Sequence, residues 1–132
     1  MGRIGNFGKE IVFETNANKI LTPKGIKRTV NGRWENHNII GKKPKMEFTG
    51  AEADETTMTV VLSAEHGVRP RATIEKLENA VEKGIVDYLV IGGKIVGKNK
   101  VYLKSISEEW DSVWNKGELV KATVELTFGE YT

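Results

Sequence analysis

The sequence contains no cysteine, which excludes disulfide frameworks, thiol nucleophiles and cysteine-ligated zinc or iron–sulfur sites together. Long apolar runs are also missing. Segments such as Tyr88 to Ile91 are among the longest, far short of the ~20 residues a bilayer span requires. Nor is there a strong excess of one charge. The formal net charge is +2 over 132 residues, and a dedicated nucleic-acid binder ordinarily carries more basic surplus than that. The first residues, Met1 to Asn6, lack the apolar core of a signal peptide. Gly2 stands where a myristoyl group would attach, but Asn6 replaces the Ser or Thr of that motif. Manufacture and use in a cytoplasm is the expectation. Without a repeat or a low-complexity tract, residues 1–132 are expected to form a single domain, long enough to bury its own core.

What is present is mainly strand patterning. Val120, Ala122, Val124, Leu126 and Phe128 alternate with Lys121, Thr123, Glu125 and Thr127, the period-two signature of a half-buried antiparallel strand. Met58, Val60 and Leu62 alternate with Thr57 and Thr59, and Met46 and Phe48 repeat the pattern. Ile11 to Glu14 and Lys100 to Ser107 are further candidates, rich in β-branched and aromatic residues. Asn31-Gly32, between Ile26–Val30 and Arg33-Trp34, predicts a hairpin, as does Gly92-Gly93 between Tyr88–Ile91 and Lys94–Val96. Asn115-Lys116-Gly117 marks a turn before the last strand. From Arg71 to Lys83, Ile74, Leu77, Ala80 and Val81 recur at helical spacing, with Pro70 suited to the start and Gly84 to the stop. Four or five strands, one amphipathic helix over 71–83 and three more strands predict an α+β, mostly β fold.

Few residues point to chemistry. Gly92 to Lys98 matches the G-x-x-x-x-G-K part of a phosphate-binding loop, but Asn99 takes the magnesium-ligating position. Lys100 onward reads as strand where such a loop needs a helix N-terminus, so a hairpin turn explains these residues better than a nucleotide-binding enzyme does. His37 and His66 show no metal-ligand spacing, although His66 follows Glu65 and lies not far along the chain from Asp54 and Glu55. The adjacent acids Asp54-Glu55 and Glu108-Glu109 point apart on an extended backbone and make no obvious dyad. No catalytic residue, cofactor or metal is expected.

Charge is uneven in one place. Lys19 to Lys45 holds Lys19, Lys24, Lys27, Arg28, Arg33, Lys42, Lys43 and Lys45 against the single acid Glu35, and Glu47, Glu52, Asp54 and Glu55 follow. One reading is a solvated basic hairpin. The other is a basic arm on one copy meeting an acidic edge on the next, with Trp34 as an interface anchor. The candidate subunit-interface residues are Lys27, Arg28, Asn31, Arg33, Trp34, Lys42 and Lys43. A small barrel binding single-stranded nucleic acid through this hairpin is the alternative of another class, weakened because Trp34 is the only aromatic there. Trp110 and Trp114, four apart near a turn, either cover the end of a barrel or face a partner.

Ordered landmarks run through most of the chain. Ile4-Gly5-Asn6-Phe7 precedes Val12-Phe13, and Gly32-Arg33-Trp34 precedes Ile40-Gly41-Lys42-Lys43-Pro44 and Glu47-Phe48-Thr49-Gly50. The strand Thr57 to Leu62, Leu77, Leu89-Val90, Gly97 and Ile106-Ser107-Glu108 follow. Lys116-Gly117, Lys121 and Val124-Glu125-Leu126-Thr127-Phe128 complete the series. In order and spacing they resemble the tail protein U (GpU) family of contractile-tailed phages and related contractile bacteriocins. That resemblance implies a tail-tube-like antiparallel sandwich or barrel with one flanking helix. It further implies a non-enzymatic, hexameric ring, built by edge-to-edge joining of sheets, that links the tail tube to the baseplate hub and templates tube assembly. A tube-terminator ring is the neighbouring possibility. The implied place is the tail of a virion or of a headless contractile bacteriocin, assembled in the bacterial cytoplasm. The implied partners are further copies of the chain, tube proteins and hub proteins, with no membrane and no specific nucleic acid.

Overall fold

In the computed structural model, residues 3–15, 20–113 and 119–131 are described. The chain runs through β1 (Arg3–Phe7), β2 (Ile11–Thr15), β3 (Ile20–Leu21), β4 (Pro23–Thr29), β5 (Gly32–His37), β6 (Lys45–Ala51) and β7 (Glu55–Ser63). A 3-10 turn (Ala64–His66) leads to helix α1 (Pro70–Lys83), followed by β8 (Val86–Asp87), β9 (Leu89–Ile91), β10 (Lys94–Ile95), β11 (Val101–Val113) and β12 (Leu119–Glu130). The expected α+β, mostly β class and the single helix are observed. The strand count is higher than expected, because β1, β3 and β8 are too short or too glycine-interrupted to show alternation.

All described strand pairs are antiparallel. The larger sheet has the order β4-β7-β12-β11-β8, a second sheet has the order β10-β9-β1-β2-β3, and β5-β6 forms a separate two-stranded ribbon. The central pair explains the larger sheet. Leu126 lies opposite Met58, Val124 opposite Val60 and Ala122 opposite Leu62. These six side chains are almost wholly buried; burial of each of the larger ones, Ala122 aside, contributes about 1.5–3 kcal/mol. Phe7 of β1 meets Phe128 of β12 edge-to-face at 5.0 Å, which joins the two sheets through one core with Phe13, Leu21, Leu77 and Leu89.

The helix begins with Pro70 in its first turn, where the missing N–H costs no hydrogen bond. It ends at Gly84, whose φ of 65° is left-handed and whose N–H reaches back to Ala80 and Val81. Pro70, Ile74, Leu77 and Ala80 are buried, as the helical spacing predicts. Gly92 and Gly93, with φ of 64° and 80°, turn β9 into β10, confirming that hairpin. The turn expected at 115–117 and Trp114 lie outside the described residues, though β11 and β12 pair on both sides of that stretch as a hairpin requires.

The other expected hairpin is wrong. Asn31-Gly32 does not fold β4 back on β5. Instead β4 pairs with β7, β5 pairs with β6, and Asn31-Gly32 is the junction between them. The turn chemistry is sound locally, but β7 is long and fully alternating, and β4 adds to its free edge, with one register shift between Lys24 and Lys27.

Candidate assembly surfaces

From Lys24 to Thr49 every residue is exposed. The β5-β6 ribbon therefore stands out as an arm. Strand register sorts its two faces, since directly paired residues point the same way and neighbours alternate. Trp34 pairs with Phe48, and Asn36 with Met46, giving one face an apolar stripe. The Trp34 and Phe48 rings meet edge-to-face at 5.1 Å, yet both remain more than half exposed, at 57% and 55%. Glu35 pairs with Glu47 and His37 with Lys45 on the opposite, polar face. Lys42 and Lys43 sit in the connection at the arm's tip. Seven of the twelve exposed large hydrophobic residues among those described fall between Ile26 and Phe48, which makes this stretch the candidate interaction surface.

The arm is fastened at its base. The carbonyl of Asn31 accepts the Glu52 N–H at 2.9 Å, and Arg28 pairs with Asp54 at 2.5 Å. Asp54 is itself tied to the end of β12: its N–H donates to the Glu130 carboxylate at 3.1 Å, and the Glu130 N–H donates to its carbonyl at 3.0 Å. Asn99 donates to the other Glu130 oxygen at 2.7 Å. These hydrogen bonds, from Asp54 first and Asn99 second, together with the charges of Arg28 and Lys98, hold the Glu130 carboxyl below its ordinary pKa.

Of the residues singled out from sequence, Arg33 and Trp34 lie on the arm, Lys42 and Lys43 at its tip, Asn31 at its root, and Lys27 and Arg28 on β4. Arg28 already has a partner within the chain. The adjacent acids separate as expected, with Asp54 on Arg28 and Glu55 on Lys104 at 3.3 Å.

A second surface has no signature in sequence. β4 ends the larger sheet, and among the described strands it pairs with β7 alone. At the other side, β8 covers β11 only at Val101 and Tyr102, so no described strand pairs the outer edge of β11 from Leu103 to Val113. The two open edges differ in charge. β4 carries Lys24, Lys27 and Arg28 without an acid, whereas the outer part of β11 carries Glu108, Glu109 and Asp111, all exposed. Trp110, between them, donates to Glu108 at 3.0 Å and lies beneath Arg71 of the helix at 5.4 Å.

An open groove of 460 Å³ lies between β2 and the start of α1, lined by Lys9, Glu10, Ile11, Arg69, Thr73 and Lys76 among others. The Gly92–Lys98 segment is a hairpin turn followed by strand β11, which removes the helix a phosphate loop needs.

This small β protein presents sheet edges that no described strand pairs, an exposed amphipathic arm and a mixed-charge surface. The model of the phage P2 GpU family matches residues 9–132; the chain belongs to that family of phage tail proteins. The fold is also similar to a solved chain from the tail of an empty GTA particle, computed with helical refinement and C6 symmetry. The TM-score is 0.52 and the identity 10%, covering 99% of this chain and 91% of that one. A search of curated proteins returns no sequence match.

Proposed function

We propose that this tail protein is a non-enzymatic ring subunit. Six copies close by pairing the basic β4 edge of one with the acidic β11 edge of the next, and the ring joins the tail tube to the baseplate hub. The observation that carries this reading is the pair of open edges, of opposite charge, at the two ends of one sheet. Unpaired edges invite strand addition, opposite charges steer register, and identical units joined head to tail must close into a ring or grow as a filament. The arm, standing outside the sheet, then supplies the contact to an adjoining ring on which tube assembly is templated. The C6 symmetry of the GTA tail, a relative in fold, supports six as the closing number.

Native mass spectrometry across concentrations tests this. A six-subunit species is expected, lost in Lys24→Glu/Lys27→Glu, lost again in Glu108→Lys/Glu109→Lys, and regained when the two variants are mixed. A hexamer indifferent to both charge reversals rejects the edge pairing, and a monomer at every concentration rejects self-closure.

A further inference from the structure

We propose that the polar face of the arm is a binding site for a zinc-like transition metal, formed by Glu35, His37 and Glu47. Residues 35 and 37 are two apart on β5 and so share a face, and the register sets Glu47 directly across from Glu35. The ligand atoms of the three side chains lie within 4.8 Å of one another, and His37 Nε2 is 2.5 Å from Glu47 Oε2. Directly opposed carboxylates repel. Lys45 shares this polar face but closes no ion pair on either carboxylate. Among the described residues the Lys and Arg ion pairs are Arg28–Asp54 and Lys104–Glu55, and none reaches Glu35 or Glu47. Glu35 is the single acid in the Lys19–Lys45 stretch, yet the fold sets it opposite another acid. The backbone pairing of β5 with β6 holds the two carboxylates opposed, and the Trp34–Phe48 contact on the opposite face favours that register. A divalent cation neutralises both carboxylates at once.

The donor set selects the class of metal. One imidazole nitrogen with two carboxylate oxygens suits zinc and its borderline neighbours, whereas magnesium and calcium prefer oxygen alone. Three protein ligands leave a fourth position for water or for a side chain of an adjoining molecule. Binding would cross-link β5 to β6 and stiffen the arm. This site does not depend on the ring reading, since all three ligands come from one chain.

The test is a titration of the full chain with zinc chloride, followed through imidazole NMR signals. The chain has two histidines, so His66 is the internal control. His37 signals are expected to shift and saturate at one equivalent while those of His66 stay in place, and magnesium should move neither. His37→Ala should abolish binding, and Glu35→Gln should weaken it on the order of tenfold or more. All three positions are exposed, so both variants should fold like the parent by circular dichroism. His66 shifting in step with His37, an affinity unchanged by Glu35→Gln, or no saturable shift at millimolar zinc would each overturn the proposal.

Discussion

Met46 and Phe48 in the arm and Met58, Val60 and Leu62 in the sheet share one sequence pattern, and their fates are opposite. The first two are 54% and 55% exposed, whereas the last three are buried to within 1%. Period-two alternation says which side chains share a face; it does not say what covers that face. β7 lies between two neighbours, β4 and β12, under a second sheet and a helix. The arm has two strands and no described residue covers them, and a two-stranded ribbon cannot bury either side of itself. In the proposed function this bare apolar face makes a contact between molecules.

Breaking the contrast should separate stability from assembly. The largest effect is expected in the covered region: Phe128→Ala removes the ring packed on Phe7 and should cost about 3–5 kcal/mol in urea unfolding. Gly5→Ala comes next. An added Cβ would lie 2.0 Å from the Val90 carbonyl oxygen, so β1 must pull away from β9, costing about 1–3 kcal/mol. In the arm, Trp34→Ala breaks only an exposed aromatic pair, and urea unfolding of the monomer should shift by about 1 kcal/mol or less. The same substitution should nonetheless abolish incorporation into tails. A Trp34→Ala protein that assembles normally would show that the bare face is not a contact.

The arm's base gives a pH effect. Because the folded Glu130 pKa lies below its unfolded value, its contribution to stability is present above the ordinary glutamate range. It is lost as pH falls through the lowered value, when the carboxylate gains a proton. Glu130→Gln should therefore lower stability at neutral pH, where the carboxylate's contribution is present, and change it little at acid pH, where the parent has already lost it, so that the acid limb flattens, as urea midpoints from acid to neutral pH will show. The smallest effect is expected at the exposed Lys104–Glu55 pair: Lys104→Ala should shift stability by less than about 1 kcal/mol.

Much of the body was readable from sequence, and most of the surfaces were not. The strand at 120–128, the helix beginning near Pro70 and the Gly92-Gly93 turn follow from local rules, since each is decided by neighbours within a few residues. Arg33, Lys42 and Lys43 are legible because basic charge is concentrated from Lys19 to Lys45, and Trp34 because it is the only aromatic in that stretch. Asn31-Gly32 misled, because turn propensity cannot weigh β4's alternative partner, β7, which begins more than twenty residues later. The acidic edge at Glu108–Asp111 became a candidate surface only once β8 was seen to cover so little of β11. Glu35 and Glu47 are too far apart in sequence for ligand spacing to show, and only the β5-β6 register brings them together.

By itself, then, the sequence determined the class of fold, the residues of its core and membership of the tail-protein family. These rest on periodicity and on ordered short motifs, both of which are written along the chain. The tertiary structure alone decided which strands pair, which apolar faces stay bare and which acids come face to face. Each of those depends on long-range partners competing for the same backbone hydrogen bonds, and that competition is settled only when the whole sheet has formed.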